Sequence, residues 1–99
     1  MSTYTLSRSP LAAKKFRIVT PDGTKRDFGA NGYEDYTIHH DKKRKASYIA
    51  RHRPRENWTE SGIKTAGFWS LWLLWNKKSI KASIEDIEDR FGIRIKYEK

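Results

Sequence analysis

The stretch Phe68-Trp69-Ser70-Leu71-Trp72-Leu73-Leu74-Trp75 constrains this chain more than any other. Phe68, Leu71, Trp72 and Trp75 recur at i, i+3, i+4 and i+7, the period of a helix, while Trp69, Leu73 and Leu74 point to its other sides. A helix that is apolar nearly all round must be enclosed, and a chain of 99 residues and 11.7 kDa has little material with which to enclose it. Either this is the central core helix, or one flank of it is an interface. The mostly apolar run, Ala66 to Trp75, is much shorter than the ~20 residues that cross a bilayer, so no membrane span is expected.

The remaining patterns predict one α+β domain, a small antiparallel sheet (an N-terminal hairpin plus a C-terminal strand) packed on two to three helices. Phe16 and Ile18 alternate with Arg17 and Val19, Pro21-Asp22-Gly23 makes a turn, and Thr24 to Phe28 returns. Tyr36 and Ile38 alternate in a short third extended piece or a loop. Ser61 is a possible cap for a helix within Trp58 to Trp75. Ser79 caps a cleaner one, with Ile80, Ile84, Ile87 and Phe91 on one stripe, Glu85, Asp86, Glu88 and Asp89 outside, and Gly92 as its stop. Ile93, Ile95 and Tyr97 then alternate with Arg94, Lys96 and Glu98 as a final strand. Residues Met1 to Ala13 have neither period and no section reads as a signal peptide. Residues 1–15 are therefore expected to be an arm ordered by a partner, with residues 16–99 as the domain. Within that arm Arg8-Ser9-Pro10 has the form of a phosphorylation site, a pattern frequent by chance.

Charge is concentrated in the middle. Lys and Arg number 21 against 12 Asp and Glu, a net +9, and residues 41–67 hold eight basic and three acidic residues, +5 of that total. Asp41 is a good N-cap for a helix running to about Arg53, which Pro54 ends. Lys42, Lys43, Arg44 and Lys45 occupy its first turns, where cations oppose the helix dipole at about 0.3–1 kcal/mol each. Local stability does not explain them; an anionic partner would. On the helix Lys45, Tyr48 and His52 share one side, and Arg44 lines up with Arg51 two turns on. Arg51, Arg53 and Arg55 suit phosphates or the carboxylates of a protein, and spacing does not separate those partners from a plain solvated face. Arg55, Trp58 and Lys64 interleave cations with an aromatic ring, as base stacking would require, but the helical spacing of Phe68, Trp69, Trp72 and Trp75 assigns these rings to core or interface.

Catalysis has little to work with. Cysteine is absent, which removes disulfides, thiolate zinc sites and thiol nucleophiles. His39, His40 and His52, with Asp35, Asp41 and Glu56 as possible partners, fall in no catalytic or metal-ligand motif, and no glycine-rich phosphate loop or nucleophile elbow occurs. The expectation is no enzyme, no metal, no cofactor and no small-molecule substrate.

One stretch carries a resemblance. By Arg51-His52-Arg53-Pro54-Arg55-Glu56-Asn57-Trp58, Ser61-Gly62-Ile63, Thr65 to Ser70 and Leu73-Leu74-Trp75-Asn76-Lys77, within Ser47 to Ile95, the chain resembles an uncharacterised family of small basic proteins encoded by large nucleocytoplasmic DNA viruses, algal ones included. Phe28-Gly29-Ala30 and Tyr33 also fit. Leu71 stands where that family often has a basic residue and Lys78 where it has Pro, which makes the central helix more apolar here. The resemblance implies a viral origin and supplies no residue roles. Together with the arm, the over-apolar helix and the basic face, that origin leads to the expectation of a non-enzymatic virion component, a minor capsid or internal particle protein docking on neighbouring subunits, found in the virion and in host cytoplasm or nucleus during assembly. The alternative is a nucleic-acid-binding protein using the basic 42–55 segment.

Overall fold

Residues 2–98 are described by the computed structural model; Met1 and Lys99 lie outside the described residues. The hairpin forms where the turn chemistry places it. Strand β2 (Lys14–Val19) and strand β3 (Lys25–Ala30) pair antiparallel, with Phe16 opposite Phe28 and Ile18 opposite Arg26. Thr20 and Asp22 tie the turn side chain to side chain, and Asp22 Oδ1 accepts from the Thr24 amide at 3.1 Å. Helix α2 (Lys42–His52) starts at Asp41, whose carboxylate accepts from the amides of Lys43 and Arg44. Helix α4 (Ile80–Phe91) starts at Ser79, whose Oγ accepts from the Ala82 amide, and stops at Gly92 with φ +64. Ile80, Ile84, Ile87 and Phe91 all face the core.

The expected arm is a correction. Residues 3–8 form strand β1 (Thr3–Arg8), which runs antiparallel to β2 and parallel to strand β4 (Arg94–Glu98), so the sheet order is β3-β2-β1-β4. The expected neighbour is therefore replaced by this chain's own C-terminus. Tyr4 and Leu6 are buried on the inner face, while Thr5 and Ser7 occupy the other. Two apolar residues among polar ones make a weak period, and the strand that completes the pairing lies at the far end of the chain. Ser9, beyond the strand, donates its Oγ proton to Asp27 Oδ1 at 2.6 Å and so fastens the β1–β2 turn to β3.

The segment around Tyr36 and Ile38 is not extended either. It is a single helical turn, α1 (Tyr36–His39), because Asp35 caps it through the Thr37 amide and His40 ends it in the left-handed region at φ 54. A long helix from Ser61 is likewise replaced. Asn57 accepts from the Thr59 amide and donates to Ser61 Oγ at 2.8 Å, which commits that stretch to a turn followed by the 3-10 turn Glu60–Gly62. The helix proper, α3 (Ala66–Trp69), is capped by Thr65 and widens into a π turn over Ser70–Leu74.

The π turn answers the question of enclosure. A widened turn re-aims successive side chains, so Trp69, Leu73 and Leu74 all reach the interior with essentially no exposure. The sheet covers one side, with Tyr4 and Trp69 ring centroids 5.7 Å apart. α4 covers another, with Phe91 at 5.0 Å from Phe68 and 5.5 Å from Trp72. The 57–63 segment covers a third, accepting Trp72 Nε1 at the Trp58 carbonyl and Trp69 Nε1 at the Ile63 carbonyl. α2 closes the last side through Tyr48 and Trp75. Each element contributes one flank, which is how so small a chain buries an all-round apolar helix.

Candidate functional site

α2 is held to the rest of the molecule along a narrow inner side. Tyr48, buried, donates its hydroxyl proton to Ser70 Oγ at 3.0 Å and stacks on Trp75 at 4.4 Å and 5°. Burial pushes this phenol's pKa up, and the Ser70 hydrogen bond offsets part of that. Lys45 donates to the Asn76 carbonyl at 2.6 Å and lies 4.8 Å from the Tyr36 ring centroid. Burial lowers its pKa, and the nearby Lys77 and Lys42 charges add to the effect. Lys45 is therefore an anchor of α2, and its place in the expected anion-binding set is corrected: helical period puts it on the same side as Tyr48 and His52, which is the packed side.

The other six cations remain outward. Lys42, Lys43, Arg44, Arg51, Arg53 and Arg55 are all exposed. Arg44 alone of them stands near a carboxylate, Glu34 at 3.8 Å, with both side chains about half exposed. Among the described residues no acidic group pairs with the other five. Asp41 satisfies the first amides of the helix, which relieves part of the dipole conflict without neutralising the row of side chains.

The structure divides these cations between two hollows on either side of α2. The larger, about 750 Å³, lies between α2, the end of β3 and the loop before α1. Lys43, Arg44 and Arg51 stand on its helix wall, Glu34 and Asp35 on the opposite wall, and Tyr48, His52, Leu74 and Trp75 beneath. Asp35 is already engaged by Lys15 at 2.6 Å and by Thr37. Gly29 lines the hollow and packs closely beside it: at φ +78 a Cβ there would stand 2.8 Å from Leu74 Cδ1. The smaller hollow, about 270 Å³, is lined by Arg53, Lys45, Trp58, Trp72 and Trp75. Lys42 and Arg55 line neither.

The aromatic candidates separate in the same way. Phe68 and Trp69 are pure core, whereas Trp58, Trp72 and Trp75 are half-buried. Trp72 carries Arg90 over its ring at 4.6 Å. The buried Trp58 Nε1 and His39 Nε2 have no hydrogen-bond partner among the described residues. The three histidines are not convergent: His40 is exposed, His39 accepts the Asp41 amide at Nδ1 and His52 stacks on Tyr48 at 4.2 Å. Among the described residues no three His, Asp or Glu side chains are grouped to hold a metal ion. Among the described residues no helix is long and apolar enough to cross a membrane. Charge density pointed to α2 from the sequence, but the hollow beside it did not show there, because its floor and far wall come from residues 29–35 and 70–75.

Against known proteins, residues 4–52 match a family model described as a family of unknown function (DUF5754). The match runs from β1 through the whole of α2, so it takes in the sheet's first three strands and the helix wall of the larger hollow. Neither a curated protein nor a solved structure matches the chain.

Proposed function

We propose that this protein is a non-enzymatic component of a virion, an internal particle protein that holds nucleic acid by its phosphates through the exposed flank of α2. The observation that carries the reading is the excess of charge: six surface cations within residues 42–55, of which, among the described residues, only Arg44 has a carboxylate within 4 Å, Glu34 at 3.8 Å. Exposed cations kept this close repel one another, and an anion bound among them relieves that repulsion. Phosphates fit because release of their condensed counterions drives binding, and guanidinium groups fork onto phosphate oxygens. The resemblance to small proteins of large DNA viruses supports a place in the particle.

A minor capsid protein docking on neighbouring subunits is the second reading. Its support is a set of exposed apolar side chains, Tyr33 at 73%, Ile38 at 55% and Leu11 at 50% exposure, which suits protein contact more than nucleic acid. The N-terminal arm and the apolar helix no longer argue for it, since both are satisfied within the chain.

Binding of labelled duplex DNA over a salt series tests the first reading. If Lys43, Arg44 and Arg51 each neutralise one phosphate, the log–log slope is about −2.7. Arg51→Glu with Arg53→Glu abolishes binding while leaving thermal unfolding unchanged. Unaltered binding in that variant removes α2 as the site. Mass spectrometry of nuclease-treated particles separates the two readings: copies that leave with the genome-bearing core support the first, and copies that stay with the empty shell support the second.

A further inference from the structure

The larger hollow offers more than charge. Three of its lining rings form a stack: Trp75 is parallel to Tyr48 at 4.4 Å, and Tyr48 lies 4.2 Å from His52 at 26°, while His39 meets Trp75 at 5.3 Å with its ring tilted by 56°. The Ser70 hydrogen bond and burial of Tyr48 fix the stack at its centre. His52, at the outer end, is half-exposed and lines the hollow. On the helix wall Arg44 and Arg51 stand two turns apart, about 10 Å along the axis. A strip of charge that merely tracks a phosphate backbone needs no depth and no ring at its base. A volume of 750 Å³ falls instead in the range of sites that enclose part of a ligand, about 300–1,000 Å³.

We infer that this hollow takes one unpaired nucleotide of a single strand, with the base against the outer ring of the stack and the flanking phosphates on Arg44 and Arg51. The inference rests on the nucleic-acid reading above. A base within a duplex has both faces covered by its neighbours, and only an unpaired base can offer a face to His52. The opposite wall fits a base as well. Glu34 stands 3.8 Å from Arg44, beyond hydrogen-bond distance, and leaves its oxygens to accept from an exocyclic amino group. An acidic peptide fits less well, because its carboxylates offer no flat face to the stacked rings.

The test compares a short labelled oligodeoxyadenylate with the same strand annealed to its complement, using the full chain. The single strand binds tighter by about tenfold, the lower part of what stacking one base contributes. His52→Ala loses about that factor on the single strand and changes duplex affinity little, and His52→Phe restores it. Quenching of tryptophan emission by the single strand, and not by the duplex, reports the same contact without any substitution. Equal affinity for both forms, with His52→Ala silent, overturns the inference while the phosphate reading stands. Competition by polyglutamate as strong as by unlabelled oligonucleotide also overturns it. Failure to bind either nucleic acid removes both, a result distinct from the first two.

Discussion

The sheet with α3 and α4, and the α1–α2 layer, are built on different terms. In the first, Leu6, Ile18, Phe68, Trp69, Leu73 and Ile87 have no exposure, and the central helix packs on the sheet at one flank and on α4 at another. In the second, one buried tyrosine, one half-buried lysine and a pair of stacked rings hold an eleven-residue helix whose outer side is cationic. Burial of apolar area stabilises at about 25 cal/mol per Å², whereas the polar anchors of α2 contribute about 1 kcal/mol each. Elements with few buried contacts open locally before the whole fold does. The difference teaches where function can reside: a surface made to hold an anion carries charge that a tightly packed layer could not tolerate.

The strongest way to break this comparison is at its centre. Trp69→Ala leaves a cavity against Tyr4 and frees the Ile63 carbonyl, and is expected to cost about 3–5 kcal/mol in urea unfolding, melting both layers together. A smaller loss, or a transition in which α2 survives, would make the two layers independent. Gly29→Ala strikes the seam between them. A side chain at φ +78 facing Leu74 combines left-handed strain with overpacking, at roughly 2–4 kcal/mol, and narrows the larger hollow.

Tyr48→Phe sharpens the comparison by touching one anchor. Loss of the Ser70 hydrogen bond costs about 0.5–1.5 kcal/mol. Amide exchange should speed up over α2 while β1 and α4 stay protected; uniform acceleration would mean that α2 opens only with the whole domain.

On the sheet's outer face, Asp27 accepts from Arg17 at 3.0 and 3.1 Å and from Ser9, and the Arg17 hydrogen bonds hold its carboxyl below the usual range. A carboxyl that ionises more readily in the fold than in the unfolded chain stabilises fully above its unfolded pKa, ~3.9, and loses that contribution as pH falls through the folded value. Asp27→Asn therefore lowers the melting temperature at neutral pH by the small amount of a surface pair, about 0.2–1 kcal/mol, and the gap to the parent closes in acid. A gap that persists at the lowest pH would assign the effect to packing.

The smallest stability change is expected at the site itself. Arg44→Glu with Arg51→Glu leaves global stability within about 0.5 kcal/mol, because both side chains are exposed and neither anchors α2. A larger loss would mean that the cationic flank is part of the fold.

Local chemistry made much of this legible from sequence. The Pro21-Asp22-Gly23 turn, the Asp41 and Ser79 caps and the Gly92 stop act through hydrogen bonds and backbone angles within a few residues, so the hairpin, α2 and α4 stand close to where their residues place them. The concentration of cations along α2 is equally a property of the sequence. What the tertiary structure decided depends on surfaces brought from far along the chain. Residues 3–8 become a central strand only because β4 arrives beside them, and Trp69, Leu73 and Leu74 become interior together only because the helix widens between the sheet and α4. Lys45 turns from ligand candidate to anchor because Asn76 and Tyr36 meet it, and the hollow beside Arg44 and Arg51 exists because residues 29–35 and 70–75 come to lie next to α2. Periodicity assigns a side chain to a face of its own element; what stands opposite that face is set by packing between elements, and packing is not a local property.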